Sequence, residues 1–278
     1  RVHGSTFLEA KMFVDSKIGR TWFAVDLGLI PYPEAWDLQL RLAAARSQRR
    51  LAENVVLLVE HPPVFTLGRR GGREHLLVSE AWLAQSRVSV VQVERGGEIT
   101  YHGPGQLVVY PIIHLPGAGL GVVDLVERLE EVMIRTCRAR GVPAGRNALN
   151  RGAWVGLRKI GSVGIAVRRG VSFHGLALNV NPDLKPFEWI RPCGLEGIGV
   201  TSIQAESAEP VGIADAKAVM QAQLEAVFQT RLLPVGRREL FMAADLSSGS
   251  EAFRVGAASP GPPQPSAKAG CRDTAAHG

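Results

Sequence analysis

Residues 95–112 run RGGEITYHGPGQLVVYPI. Its first half sets Gly96, Gly97, Gly103 and Gly105 around Arg95, Tyr101, His102 and Gln106. Glycine adds no side-chain packing and loses the most backbone entropy on folding. A cluster of glycines therefore marks sharp turns or a close approach of backbone to something else, and polar groups among them can reach a ligand. The second half opens an apolar run over 107–115 that predicts a strand.

On the N-terminal side, residues 22–27 (WFAVDL) and 55–60 predict strands. Between them 34–50 predicts a helix, with Ala35, Leu38, Leu42 and Ala45 on one face. HPPVFTLGRRGG (61–72) reads as a loop around a short extended piece. Residues 79–85 predict a short helix capped by Ser79, and 88–93 a strand leading into the glycine run. Toward the C-terminus, 120–140 is the clearest helix. Val122, Leu125, Val126, Leu129, Val132, Met133 and Thr136 form its inner face, and Gly141 stops it. Residues 153–180 predict successive strands, and 213–232 a closing helix. Strands and helices mix without regular βαβ alternation. The expected fold class is therefore α/β of the α+β type, a single domain with a mixed β-sheet flanked by helices. The expected organisation is an N-terminal extension (1–20), a catalytic domain (21–245) and a tail (246–278). The tail's Pro, Gly, Ala and Ser content, as in SPGPPQPSAKAG (259–270), is too poor in apolar residues to build a core and predicts disorder.

Composition narrows the class. Hydrophobic residues at 46% with 21% charged fit a soluble globular protein. No stretch approaches the roughly 18–20 apolar residues of a membrane span. The first twenty residues lack an apolar core segment, which predicts no secretory signal; the opening Arg1 predicts a native start further upstream. The three cysteines are Cys137, Cys193 and Cys271, with no CxxC pair. This odd set predicts a reducing cytoplasm, with no disulfide framework and no structural zinc. No HExxH spacing exists, and neither a metal nor a cofactor is expected. The net charge is +6, of which residues 21–245 carry +3, too little for a nucleic-acid footprint. Arg69, Arg70, Arg73, Arg146, Arg151, Arg158, Arg168 and Arg169 flank the informative segments. They are either a basic face for an acidic partner or solvated loop charges.

Two further segments give the glycine run a chemical meaning: RKIGSVGIAVRRGVSFHGLALNV (158–180) and RPCGLEGIGVTS (191–202). Cys137 sits on a helix face like an ordinary buried hydrophobe, and Cys271 lies in the tail. Cys193, in a Pro-Cys-Gly turn, is either a nucleophile or a structural thiol. Lys159 lies in an otherwise apolar or small run. It is either a partly desolvated base beside that thiol or a solvent-facing strand-end lysine. His174 is the other candidate base. The glycine run can bind an anion through its N–H groups, but no GxxxxGK[ST] pattern exists. Gly117-Ala-Gly119-Leu-Gly121 reads as a helix entry turn rather than a dinucleotide fingerprint.

Taken together and in order, LGLIPYPEAWDLQ, LLVEHPPVFTLGRRG, RGGEITYHGPGQLVVYP, KIGSVGIAV, HGLALNV and RPCGLEGIGVTS resemble the lipoyl(octanoyl) transferase family over residues 22–232. The resemblance implies a biotin/lipoate-protein ligase catalytic-domain fold and a Cys193/Lys159 dyad. It implies transfer of an octanoyl group from octanoyl-acyl carrier protein to a lysine of lipoyl domains, those of 2-oxoacid dehydrogenase complexes and of the glycine cleavage H protein. It implies neither nucleic acid nor membrane as partner. Arg95, Gly96, Gly97, Tyr101, His102 and Gly103 would line the acyl pocket and its mouth, with His174 and Gly175 opposite. Ser162 and Gly164 would bind substrate, and Gln106 would pin the loop. The oxyanion would rest on backbone N–H groups near Cys193 and Gly194 or around Lys159. One departure is Ile113-His114, where an acidic residue is expected. The alternatives are an ATP-dependent lipoate or biotin ligase on the same fold, a cysteine hydrolase, and a non-catalytic carrier-binding module.

Overall fold

The computed structural model describes residues 20–86, 88–191 and 199–246. Among them run β1 (Thr21–Leu29), α1 (Tyr32–Ser47), β2 (Val55–Glu60), β3 (Val64–Leu67), a 3-10 turn (Arg73–His75), α2 (Glu80–Ser86), β4 (Ser89–Gln92), β5 (Ile99–His102), β6 (Gln106–Ile112), α3 (Leu115–Ala118) and α4 (Val122–Arg138). Then follow β7 (Gly145–Asn147), β8 (Asn150–Val155), β9 (Arg158–Arg168), β10 (Val171–Asn179), a second 3-10 turn (Lys185–Trp189), β11 (Gly199–Val200), α5 (Ile203–Glu206), α6 (Ile213–Phe228), β12 (Arg231–Pro234) and α7 (Arg237–Ala243). Apart from Arg20 and Leu246, the expected extension and tail lie outside the described residues.

The large sheet has the order β12-β1-β2-β6-β10-β9-β8-β7, with β11 beside β9. β1 runs parallel to β2 and β12, while β2, β6, β10, β9 and β8 pair antiparallel in turn. It is thus the mixed sheet the sequence predicts. β2 and β6 do not alternate apolar with polar because helices cover both faces. With a period of two, Val56, Leu58, Leu107 and Val109 pack in the layer of Leu125, Leu129 and Met133 from α4 and Met220 and Leu224 from α6. Val55, Leu57, Val108 and Tyr110 pack in the other layer, with Ala35, Leu38 and Leu42 from α1. Each such large side chain contributes roughly 1.5–3 kcal/mol through burial. A smaller sheet, β4-β3-β5, has its own core of Phe65, Leu67, Leu83, Ile99, Tyr101 and Ile190.

Element ends depart from expectation for local reasons. The helix expected over 213–232 stops at Phe228, where Gln229 turns into the left-handed region, and Arg231–Pro234 joins the sheet edge instead. The strand expected to reach residue 115 ends at Ile112. His114 then caps α3, its Nδ1 accepting from the Gly117 N–H at 3.0 Å. This is the task an acidic N-cap performs, which accounts for the histidine there. Val122, placed on the inner face of its helix by periodicity, is 50% exposed at the first turn, whereas Glu130 is buried. No helix of the described residues is long and apolar enough to cross a membrane.

Candidate active site

The α1-facing side of the large sheet and the edge of the small sheet enclose a cavity of about 90 Å³. Its walls hold Arg95, Gly96, Gly97, His102, Gln106, Lys159, Ser162, Gly164, His174 and Gly175, residues separated by up to 80 positions in sequence. The turn between β5 and β6 and the hairpin of β9 and β10 bring them together. Tyr101 and Gly103 are not in that wall. The Tyr101 ring packs against Phe65 and Phe187 in the small sheet's core, and burial pushes its hydroxyl up to about 12. A Cβ on Gly103 would collide with the Tyr101 hydroxyl.

A hydrogen-bonded chain crosses the cavity wall. Arg95, 8% exposed, donates from Nη2 to the Thr66 carbonyl (2.7 Å) and to Thr66 Oγ1 (2.9 Å), and from Nη1 to the Gly96 carbonyl (3.1 Å). Thr66 Oγ1 lies 3.4 Å from His102 Nε2, and His102 Nδ1 lies 2.7 Å from Gln106 Oε1. Gln106 Nε2 donates to Asn179 Oδ1 (2.9 Å) and to the Tyr101 carbonyl (3.2 Å). Asn179 Nδ2 in turn donates to the Thr201 carbonyl (3.0 Å). Gln106 Oε1 can only accept, so His102 carries its proton on Nδ1, and Nε2 accepts from Thr66. Gln106 thus pins the loop, and it also joins the small sheet to the strand that carries Lys159: the Thr201 N–H donates to the Lys159 carbonyl at 3.0 Å.

Beneath this chain lies a group of buried rings. Tyr32 stacks on His102 with centroids 5.8 Å apart, and His61 sits edge-on to His102 at the same distance. His61 donates from Nδ1 to the Ile30 carbonyl (2.7 Å) and accepts on Nε2 from the Tyr110 hydroxyl (2.7 Å). Burial pushes His61 down to about 4. Burial, and then the nearby His61, push His102 down to about 3. Burial and the Arg95 charge bring His174 to about 3 as well. All three are neutral at pH 7, so the 3.7 Å approach of His174 Nε2 to Glu94 is not an ion pair. His174 holds a left-handed φ of 56° inside β10, with its N–H donated to Gln39 Oε1 at 2.7 Å. Such strain in a buried strand accompanies functional sites more often than ordinary cores.

Lys159 enters the cavity wall from the start of β9, half-buried, with Nζ 5.3 Å from the centre of the Trp154 ring. Cys193 lies outside the described residues. The residues flanking that segment are fixed on both sides. Ile190 bridges Leu76, and the Arg191 N–H donates to the His75 carbonyl (2.8 Å); Gly199 and Val200 pair with Arg158 and Lys159. The chain therefore returns from that segment beside Lys159.

The basic residues are largely compensated within the domain. Arg73 pairs with Glu80, Arg146 and Arg151 with Glu130, Arg158 with Glu206, and Arg168 with Glu94. These pairs favour the reading of local structural charges over a broad basic face. Buried Cys137, its thiol pushed up to about 12 by burial, behaves as a hydrophobe. Tyr32, His61, Thr66, Tyr110 and Asn179 escaped the sequence reading. The pattern HPP looked like loop punctuation.

Comparison with known proteins agrees with this architecture. The model of the lipoyl protein ligase A/B catalytic domain matches residues 31–225. An octanoyltransferase of Desulfotalea psychrophila is 51% identical over 197 residues, covering 70% of this chain and 88% of that one. One from Alkaliphilus metalliredigens is 42% identical over 205 residues, covering 73% and 94%. A putative lipoate protein ligase from T. acidophilum, solved with bound lipoic acid, shares the fold with a TM-score of 0.64 at 16% identity. That match covers 81% of this chain and 94% of that one. With the family model matched over most of its length and octanoyltransferases this similar, the chain belongs to the lipoyl protein ligase A/B catalytic domain family as an acyltransferase of the octanoyltransferase kind.

Proposed function

We propose that this octanoyltransferase works through a thioester on Cys193, with Lys159 as its proton carrier, taking the acyl group from octanoyl-acyl carrier protein and giving it to the target lysine of lipoyl domains. The observation that supports the dyad is the return of the chain to Lys159: six residues after Cys193, Gly199 and then Val200 pair with Arg158 and Lys159. In the first half, the Cys193 thiolate attacks the thioester carbonyl, Lys159 having taken the thiol proton. The tetrahedral oxyanion is held by backbone N–H groups. The carrier thiolate leaves and takes the proton back from Lys159. In the second half, the acceptor amine attacks the acyl-Cys193 carbonyl, Lys159 accepts its proton, and the Cys193 thiolate leaves. An amide replaces a thioester, so this half runs downhill.

The proposed pocket is the cavity lined by Arg95, Gly96, Gly97, His102, Gln106, Ser162, Gly164, His174 and Gly175. Residues 21–245 form the proposed catalytic unit. The cytoplasm is the proposed compartment, supported by an odd set of cysteines with no CxxC pair. Acceptors of the proposed kind are the lipoyl domains of 2-oxoacid dehydrogenase complexes and of the glycine cleavage H protein. Intact-protein mass after mixing with octanoyl-carrier protein, without ATP, tests the reading. One added octanoyl group on the wild type and none on Cys193→Ala is expected. No adduct, with transfer only from free acid and ATP, would turn the reading to an ATP-dependent ligase.

A further inference from the structure

We propose that Glu130, which does not itself line the cavity, is the positioning residue of Lys159, acting through the main chain of Gly152. The inference rests on the proton-carrier reading of Lys159 given above. Glu130 lies on α4 and is 1% exposed, in a helix whose buried face is otherwise almost entirely apolar. A buried carboxylate is costly unless its oxygens are occupied. Here Oε1 accepts from the Gly152 N–H at 2.8 Å, while Oε2 accepts from Arg146 Nε and Arg151 Nη1, both at 3.3 Å. The arginines neutralise the charge from the rim; the bond to Gly152 reaches into the sheet.

Gly152 is where β8 is bent. Its φ is 133°, a conformation that side-chain-bearing residues rarely adopt. The bend presses its backbone against the lysine. A Cβ built on Gly152 would stand 3.0 Å from Lys159 Cε and 2.3 Å from the Gly161 carbonyl oxygen. Immediately after the bend the register of β8 against β9 shifts, from Ala153 opposite Gly161 to Trp154 opposite Lys159. That shift brings the Trp154 ring to 5.3 Å from Lys159 Nζ. Gly152 against the lysine stem and Trp154 beside its head are both set by this bend. The Glu130 carboxylate ties the bend to a helix that is anchored in the core. Releasing the tie lets β8 relax and the ammonium group drift from its working position.

The test follows the thiol that Lys159 serves. The pH profile of Cys193 alkylation by iodoacetamide, resolved from Cys137 and Cys271 by peptide mass spectrometry, reports how well the lysine stabilises the thiolate. It is measured on the full chain for wild type, Lys159→Met, Glu130→Ala, Glu130→Gln and the pair Arg146→Ala/Arg151→Ala, beside kcat, KM and Tm. Lys159→Met is expected to raise the midpoint of the profile. Glu130→Ala should move it the same way and lower kcat roughly 10- to 100-fold with KM little changed, as misplacement of a reacting group by about 1 Å does. Glu130→Gln keeps an acceptor for Gly152 and should restore most of kcat. The double arginine variant should lower Tm yet leave the profile in place, which separates positioning from bulk stabilisation. Should Glu130→Ala fail to fold, the two variants that keep the Gly152 acceptor decide: a raised midpoint in the double arginine variant, or a raised midpoint with lost kcat in Glu130→Gln, overturns the proposal. A folded Glu130→Ala with a wild-type profile and kcat overturns it too, while the dyad stands. If Lys159→Met leaves the profile unmoved, the dyad reading fails and this inference goes with it.

Discussion

Gly164 and Gly175 face each other across the β9–β10 ladder, and the same change, glycine to alanine, should have opposite kinds of effect at the two. At Gly164 a Cβ would lie 2.8 Å from the Gly96 carbonyl oxygen and 3.2 Å from Arg95 Cδ. The neighbour in the way is a loop, tied to β9 here by the Gly96 N–H donated to Ile165 at 2.9 Å. To reach ordinary contact the loop must lift by about 0.6 Å, which moves Arg95, Gly96 and Gly97 in the cavity wall. Overpacking of this size costs about 1–3 kcal/mol, a Tm fall of roughly 2–10 °C in a domain this large. Displacement of the wall by a large fraction of an ångström should lower kcat/KM roughly 10-fold or more, about 1.4 kcal/mol of transition-state stabilisation. At Gly175 the Cβ would lie 2.0 Å from the Val109 carbonyl oxygen and 2.6 Å from Pro111 Cδ. That neighbour is β6, the centre of the sheet, which cannot lift. A cost above about 4 kcal/mol takes a large share of a domain's net stability. Gly175→Ala should therefore yield little folded protein, while Gly164→Ala yields a folded, slow enzyme. Octanoyl transfer from the carrier thioester, with thermal melts on both variants, decides. A Gly164→Ala enzyme with wild-type kcat/KM, or a Gly175→Ala enzyme that melts normally, refutes the steric reasoning.

Three further outcomes are expected. Gln106→Leu strips His102 Nδ1 and Asn179 Oδ1 of their partner in a buried site and should cost about 2–4 kcal/mol, read as a fall in Tm; a melt within 2 °C of wild type would contradict the chain of bonds described. His61, His102 and His174 are pushed down from the usual histidine range, so below pH 6.5 the unfolded chain binds protons that the folded chain refuses. Stability from these groups is complete above pH 6.5 and drains as pH falls toward 4 and 3. Each adds a slope of up to about 1.4 kcal/mol per pH unit, and urea melts of wild type against His61→Gln between pH 7 and 4.5 should show the slope diminish. Because the Ile30 carbonyl can only accept, His61 must be protonated on Nδ1, and nitrogen NMR shifts reporting the opposite tautomer would exclude the bond to Tyr110 as drawn.

Much of this architecture was legible in the chain. The glycine run, the apolar strand after it and the helix over 122–138 carry periodic or compositional signals that survive without tertiary context. What escaped did so for physical reasons. Glu130 sits amid apolar neighbours on a helix, and a charged residue there reads as solvent-facing; only the Gly152 N–H and two arginines from 16 and 21 residues away make burial tolerable. Tyr101 stood among pocket residues by sequence, but β5 alternates sides, so its ring turns into the small sheet while His102 turns to the cavity. β12 was hidden because Arg231–Pro234 has helical company in sequence and becomes a strand only by finding β1. Cys193 lies outside the described residues, and the role proposed for it rests on the return of the chain beside Lys159.

The buried guanidinium of Arg95 has one more effect. It depresses the basicity of His102 and His174 and, against the dominant effect of burial, eases ionisation of Tyr32 and Tyr110. The cavity it lines is thus biased toward negative charge. The proposed acyl transfer passes through a thiolate and an oxyanion, and it needs its amine acceptor without a proton. A fixed positive charge favours each of these species over its protonated form. It also gives a lysine arriving from solvent a reason to shed its proton on entry, which would make the wall an electrostatic filter for the reactive form of the second substrate.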